Sequence, residues 1–225
     1  MKNLYITLSF VIASSTLSAQ NKDTQSADKL YNRFEYVDAA NAYLKLVDKG
    51  KADGYVYKQL ADSYYNVFNA AEASKWYAKA ISEKHDDAET YYRYAQMLKA
   101  QGKYEDAAKN LEKYLSGVPS KEFKNKAIAE LDMLPEVLAL ASKKTFIEIQ
   151  PVSINSSGSE FSPILIDKDL IFTASRKELT YKNNGLPYLG LYRASLNSPT
   201  EVGTPRLFST NIFKDNANEG TPAFT

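Results

Sequence analysis

Between Ala27 and Pro119 the small and apolar residues fall into columns spaced 34 positions apart. Ala27, Ala61 and Ala95 are in register, and so are Leu30, Tyr64 and Leu98. Ala39, Ala73 and Ala107 form a third column, Tyr43, Tyr77 and Leu111 a fourth, and Leu46, Ala80 and Tyr114 a fifth. A fixed period of this length marks a stack of helix pairs, each too small to bury its apolar face alone. The pattern predicts helices over about Asp23–Arg33 and Tyr36–Lys49, then Gly54–Phe68 and Ala71–Lys84, then Ala88–Ala100 and Tyr104–Ser116. Gly102 falls between the last two, where glycine adopts a left-handed turn most easily. Asp38, Glu72 and Asp106 share the column that opens each second helix, where an acid faces the positive end of the helix dipole.

The residues in these columns resemble the tetratricopeptide repeat. Its bulky-x₂-Leu-small-x₂-Tyr…Ala-x₃-aromatic…Pro pattern is met by Tyr57, Leu60, Ala61, Tyr64, Ala73 and Tyr77. It is met again by Tyr91, Tyr94, Ala95, Leu98, Ala107, Leu111 and Pro119. The resemblance implies a solenoid whose first helices line a concave binding groove. The groove columns then hold Asp28, Tyr31 and Asn32 in repeat one, and Tyr55, Lys58, Asp62, Tyr65 and Asn66 in repeat two. Repeat three contributes Glu89, Tyr92, Arg93, Gln96 and Lys99. The string Ala-Asp-x-x-Tyr-Asn occurs twice, at Ala27–Asn32 and Ala61–Asn66. Tyrosine suits recognition because it offers area at little rotamer entropy. Two readings of these tyrosines stand at this stage: contact with a partner, or packing between neighbouring first helices. The family's carboxylate clamp is not expected, because Thr24 and Asp28 stand where it needs Lys and Asn.

Beyond Pro119 the register predicts one more helix. Ile128 and Ala129 continue the columns of Tyr94 and Ala95, and Phe123, Ala127, Leu131, Leu134 and Leu138 form an approximate stripe. Pro135 should kink or divide this helix. Ser120–Ser142 is therefore expected to cap the solenoid.

At Lys143–Lys144 the character of the chain changes, with less alanine and more Pro, Ser, Thr and Gly. Alternation predicts a strand at Thr145–Val152, a hairpin from Pro163–Ile166 to Leu170–Ala174 around Asp167-Lys168-Asp169, and a strand at Tyr188–Ser195. Arg206–Phe208 is a further candidate, and Lys177–Pro187 reads as a surface loop. Glu160-Phe-Ser-Pro163 returns as Glu219-Gly-Thr-Pro222, 59 positions later. With Phe172–Arg176, this resembles a blade of the WD40-like (PD40) β-propeller. The expected fold class is α+β in two domains: residues 20–143 as an all-α repeat solenoid, and 144–225 as the start of a propeller. One blade cannot close a ring, so the chain is expected to be the N-terminal part of a longer protein. The alternative is an open β-domain completed by a partner.

Residues 1–19 have the three-part layout of a signal peptide: Lys2, an apolar run within Leu4–Leu17, and a small residue at the expected cut after Ala19. An uncleaved anchor is the alternative, although the run falls short of the ~20 apolar residues a span needs.

Across 225 residues, 28 basic and 27 acidic side chains nearly cancel, so no global field points to nucleic acid. The chain has no cysteine, which excludes disulfides, thiolate metal sites, a thiol nucleophile and a lipoprotein anchor. His85 is the single histidine and lies in a Glu-Lys-His-Asp-Asp turn. No nucleophile-elbow, phosphate-loop or zinc-helix string occurs, and Asp86-Asp87 and Asp167-x-Asp169 lack calcium-loop spacing. No enzyme activity, metal or cofactor is expected.

Together the two resemblances point to Bacteroidota envelope proteins of the OmpA-family, PorE-like type linked to type IX secretion and gliding. The resemblance implies a periplasmic scaffold at the outer membrane. Its partner would be an outer-membrane β-barrel or another secretion or motility component, and its hold on peptidoglycan would come through a C-terminal domain absent from these 225 residues. Alternative functions are a propeller that binds carbohydrate or peptide, or the binding part of a larger enzyme.

Overall fold

The computed structural model describes residues 22–143, 147, 149–198 and 201–223. The expected signal peptide lies outside these residues. The chain divides into a helical unit ending at Lys143 and a β unit beginning at Lys144.

The helical unit contains α1 (22–32), α2 (Tyr36–Asp48), α3 (Gly54–Asn66), α4 (Ala70–Ser82), α5 (Ala88–Ala100), α6 (Tyr104–Ser116), α7 (Lys121–Asp132) and α8 (Leu134–Ser142). The first six form three hairpins with the build and period of tetratricopeptide repeats. The alanine columns lie where helices meet: Ala39, Ala61, Ala73 and Ala95 are all 0% exposed. A methyl group there lets neighbouring backbones approach, and Tyr43, Tyr77, Leu111 and Tyr114 fill the remaining volume.

Each hairpin turns through a left-handed residue at the same column: Phe34 (φ 61°), Phe68 (φ 57°) and Gly102 (φ 71°). The same paired bonds close all three turns. The Glu35, Asn69 and Lys103 amides donate to the Leu30, Tyr64 and Leu98 carbonyls, while residues 34, 68 and 102 donate to Tyr31, Tyr65 and Lys99. This is the Schellman arrangement, which satisfies carbonyls that a helix end would leave bare. Asp53, Asn69, Asp87 and Ser120 cap α3, α4, α5 and α7 through their side chains. The helices α2 and α6 lack such a cap and carry acids in the first turn instead, Asp38 in one and Glu105 with Asp106 in the other.

The cap departs from the repeat. Met133 keeps right-handed helical backbone (φ −82°, ψ −10°) and Pro135 sits in the first turn of α8. The chain therefore divides into two helices without forming a hairpin. Ala129, expected in the column of Ala27, Ala61 and Ala95, is exposed because no second helix folds back over it. Ala127 is the one buried residue of α7, and α8 has none.

The β unit is an antiparallel meander of β1 (Glu160–Ile166), β2 (Asp169–Thr180), β3 (Pro187–Ser195) and β4 (Arg206–Leu207), in that order across the sheet. Phe172, Ala174, Tyr192 and Ala194 pack on one face, with Ile154 and Val202 laid over them. Ser162 (φ 51°) accompanies a register shift between Phe161 and Ile164 that bends β1.

Two expectations need correcting. Thr145, Phe146 and Glu148 of the strand expected at Thr145–Val152 lie outside the described residues, and its described residues form no strand. Ile147 and Ile149 are 75% and 87% exposed, so the alternation here does not bury a face of apolar side chains as it does in β2 and β3. The loop expected at Lys177–Pro187 is shorter, because β2 runs on to Thr180. Lys177 is buried there. Its ammonium donates to the Lys214 and Ala217 carbonyls, both at 2.7 Å, and pairs with Glu219 at 2.6 Å, fastening the last described stretch to the sheet.

Two substitutions check this packing. Ala95→Leu should overpack the α5 contact and lower stability by about 1–3 kcal/mol. Gly102→Ala should cost about 1 kcal/mol through backbone strain alone, since nothing lies within 4 Å of the added methyl. Urea unfolding measures both, and unchanged midpoints would contradict the packing and the turn.

Candidate partner-binding face

The first helices α1, α3, α5 and α7 are joined side by side through polar side chains. Tyr55 of α3 donates to Asp28 of α1 at 3.0 Å, Arg93 of α5 pairs with Asp62 of α3 at 3.0 Å, and Lys99 of α5 pairs with Glu130 of α7 at 2.9 Å. Asp28, Asp62, Gln96 and Glu130 stand in one column of the repeat, so a single helical position supplies the acceptors along the row.

Asp62 is the most enclosed of these residues, at 2% exposure. One carboxylate oxygen accepts from the Tyr77 hydroxyl at 2.6 Å and meets Arg93 at 3.0 Å; the other pairs with Lys58 at 2.8 Å. Arg93 also holds Glu89 at 2.6 Å and stacks over the Tyr65 ring. Burial opposes the charge on Arg93, but Asp62, Tyr77 and Glu89 outweigh it and raise its pKa. Burial, then the charge and hydrogen bond of Asp62, push the Tyr77 hydroxyl well above its ordinary range.

Repeat one builds the same node with fewer partners. Asp28 accepts from Tyr43 at 2.6 Å and Tyr55 at 3.0 Å, and Gln59 donates to Tyr55 at 3.2 Å. Burial first, then Asp28, raises both hydroxyls, Tyr55 to about 12.

The residues expected to line a groove therefore separate by environment. Asn32, Asn66 and Glu89 are exposed, whereas Asp28, Tyr31, Tyr55, Lys58, Tyr65, Arg93, Gln96 and Lys99 are half-buried. Asp62 and Tyr92 are interior. Tyr92 is 6% exposed, with ring centroids 4.7 Å from Phe123 and 5.1 Å from Tyr114. It packs beneath α7, so for this tyrosine the packing reading holds. A depression of about 500 Å³ opens beside the row, lined by Tyr65, Phe68, Gln96, Met97, Lys99, Ala100 and Tyr104.

Sequence reasoning missed Tyr43, Tyr77, Gln59 and Glu130 as members of the network. A signal was present for the tyrosines, each of which follows its aspartate by 15 positions. His85, Asp87 and Asp169 have structural uses. His85 rests edge-on against Tyr55, Asp87 caps α5, and Asp169 binds Arg193 and Ser195. Among the described residues no group of three His, Asp or Glu side chains is placed to hold a metal ion, and no helix is long and apolar enough to cross a membrane.

No family model and no curated protein matches the chain. Solved structures that resemble it cover just over half of the chain. One is the C-terminal part of a tetratricopeptide-repeat protein from Cytophaga hutchinsonii, at 16% identity and a TM-score of 0.43, covering 53% of this chain and 45% of that one. Another is the second such domain of human RPAP3 in complex with an HSP70 peptide, at 18% identity and 0.45, covering 52% and 97%. A third is the Yersinia enterocolitica translocator chaperone SycD, at 18% and 0.45, covering 58% and 88%.

The Asp62 node makes two predictions. Asp62→Ala leaves Arg93 and Lys58 without their buried counter-charge and should cost about 3–5 kcal/mol in chemical denaturation; a loss under about 1 kcal/mol would mean the pair behaves as a surface contact. The second concerns alkali. Tyr43, Tyr55, Tyr77 and Tyr92 all have hydroxyls raised above the ordinary value of 10.0. The fold favours their neutral form, so this stability is intact below about pH 10 and drains away as pH rises toward about 12. Phenolate absorbance should rise in step with the loss of helical circular dichroism; ionisation of all tyrosines in a still-folded chain would contradict the burial.

Proposed function

We propose that the chain is a non-enzymatic adaptor that docks a protein partner on the row of first helices. The observation that carries this reading is the pre-organised row itself. Its polar side chains are fixed by bonds across α1, α3, α5 and α7, while Asn32, Asn66 and the half-buried Tyr31 and Tyr65 remain available at its surface. A surface already ordered in the free protein loses little conformational entropy on binding. Half-buried tyrosines with polar tips supply contact area of the kind enriched at interfaces.

The proposed setting is the periplasmic side of an outer membrane, reached through the leader at residues 1–19. The proposed partner is an outer-membrane β-barrel or another secretion or motility component. Support for this setting comes from the leader's layout and from the resemblance of the repeat-plus-blade order to PorE-like envelope proteins. The β meander is proposed to be one propeller blade, a reading supported by its strand order and by the return of Glu160–Pro163 at Glu219–Pro222.

Affinity capture from cell envelopes with the full chain tests the docking face. Asn32→Arg and Asn66→Arg together place bulk and charge on exposed positions and should abolish recovery of a partner that the unaltered chain retains. Equal recovery by both would move the binding surface to the β unit.

A further inference from the structure

The repeats share one node but do not complete it alike, and the difference indicates what a partner must bring. In repeat two, Asp62 is neutralised by Lys58 and Arg93. One period earlier, the positions of Lys58 and Arg93 are occupied by Thr24 and Gln59, neither of which carries a charge. Thr24 is 1% exposed, and Gln59 donates to Tyr55 rather than to the acid. Glu130, in the same column, has its own cation in Lys99 at 2.9 Å. Asp28 alone of these three acids has none. Both of its tyrosine bonds fall on one oxygen, Oδ1, and among the described residues no cation pairs with the other.

The charges along the row lead to the same conclusion. Lys58, Arg93 and Lys99 are each bonded to an acid of the row, so none of the three is free to attract an acidic ligand. The unmatched charge is negative, and it sits at the α1 end. A half-buried carboxylate gains more from an incoming cation than one in open water, because the surrounding protein screens the pair less.

We propose that Asp28 is a specificity position that receives a basic side chain, lysine or arginine, from the docked polypeptide, in the place that Lys58 and Arg93 fill for Asp62. The proposal rests on the docking face described above. It selects against acidic segments and in favour of a segment with one basic residue at the end that reaches α1.

A phage-displayed library of random peptides, selected on the full chain, provides the probe. Recovered peptides should share a basic residue at one position, and a fluorescein-labelled representative can then be titrated by anisotropy. Asp28→Asn keeps an acceptor for both tyrosine hydroxyls and removes the charge; it should weaken binding about tenfold. Gln59→Arg keeps Asp28 and restores the internal cation of repeat two, and should weaken binding to a similar degree. Changing the peptide's basic residue to glutamine should cost the same, and should make both protein variants silent. Circular dichroism establishes that each variant is folded. Peptides with no recurring basic residue, or affinities indifferent to both variants, overturn the proposal. If Asn66→Arg abolishes binding in that case, the docking face survives and the role of Asp28 alone is lost. If Asn66→Arg is also without effect, or no peptide is recovered, the docking face falls with it.

Discussion

The buried carboxylate of Asp62 ties together three helices by polar bonds at the centre of their packing. It sits on α3, takes a hydroxyl from Tyr77 on α4 and faces the guanidinium of Arg93 on α5, so it fixes a hairpin and the joint to the next hairpin together. Ion pairs of this kind add little net stability over an apolar replacement, because desolvation offsets the attraction. Their stronger effect is on geometry. Alanine columns permit close helix contact at several neighbouring registers, whereas a carboxylate enclosed by three donors tolerates only one. The row of first helices is therefore ordered before any partner arrives.

The repeats diverge where they are bonded to their neighbours. In the first the column residue is an acid held by tyrosines alone, in the second an acid held by cations, in the third an amide, and in α7 an acid with a lysine. The alanine columns at Ala27, Ala61 and Ala95 and at Ala39, Ala73 and Ala107 do not change over the same stretch. Packing keeps the helices in place while the polar column varies, which gives the two ends of the row different electrostatic character. The left-handed turn positions show the same tolerance: Phe34 and Phe68 accept a conformation that Gly102 adopts freely, because the paired backbone bonds of the turn outweigh the strain.

Most of the helical unit was legible because its period is redundant. Three copies of each column locate the hairpins, and α5 and α6 match their expected limits residue for residue. The cap was legible only in part. Pro135 signalled a break, but the failure of α8 to fold back depends on Met133 staying helical, which no single residue announces. In the β unit, Lys177 looked like loop composition. Its burial depends on carbonyls 37 and 40 positions away, contacts that local pattern cannot reveal. The candidate face was readable as a set of positions but not as a set of environments. Tyr92 and Asp62 share the helical phase of exposed residues and lie inside because α7 and Arg93 cover them.

The central claim is that a partner docks on the first helices and not on the outer face of the second. A photo-activated cross-linking residue placed at Asn32, Asn66 or Glu89, and separately at the exposed Lys109 and Glu112 of α6, tests this directly in intact cells. Adducts to one protein from the first three positions and none from α6 are the predicted result. Adducts from α6 with none from the first helices would contradict it.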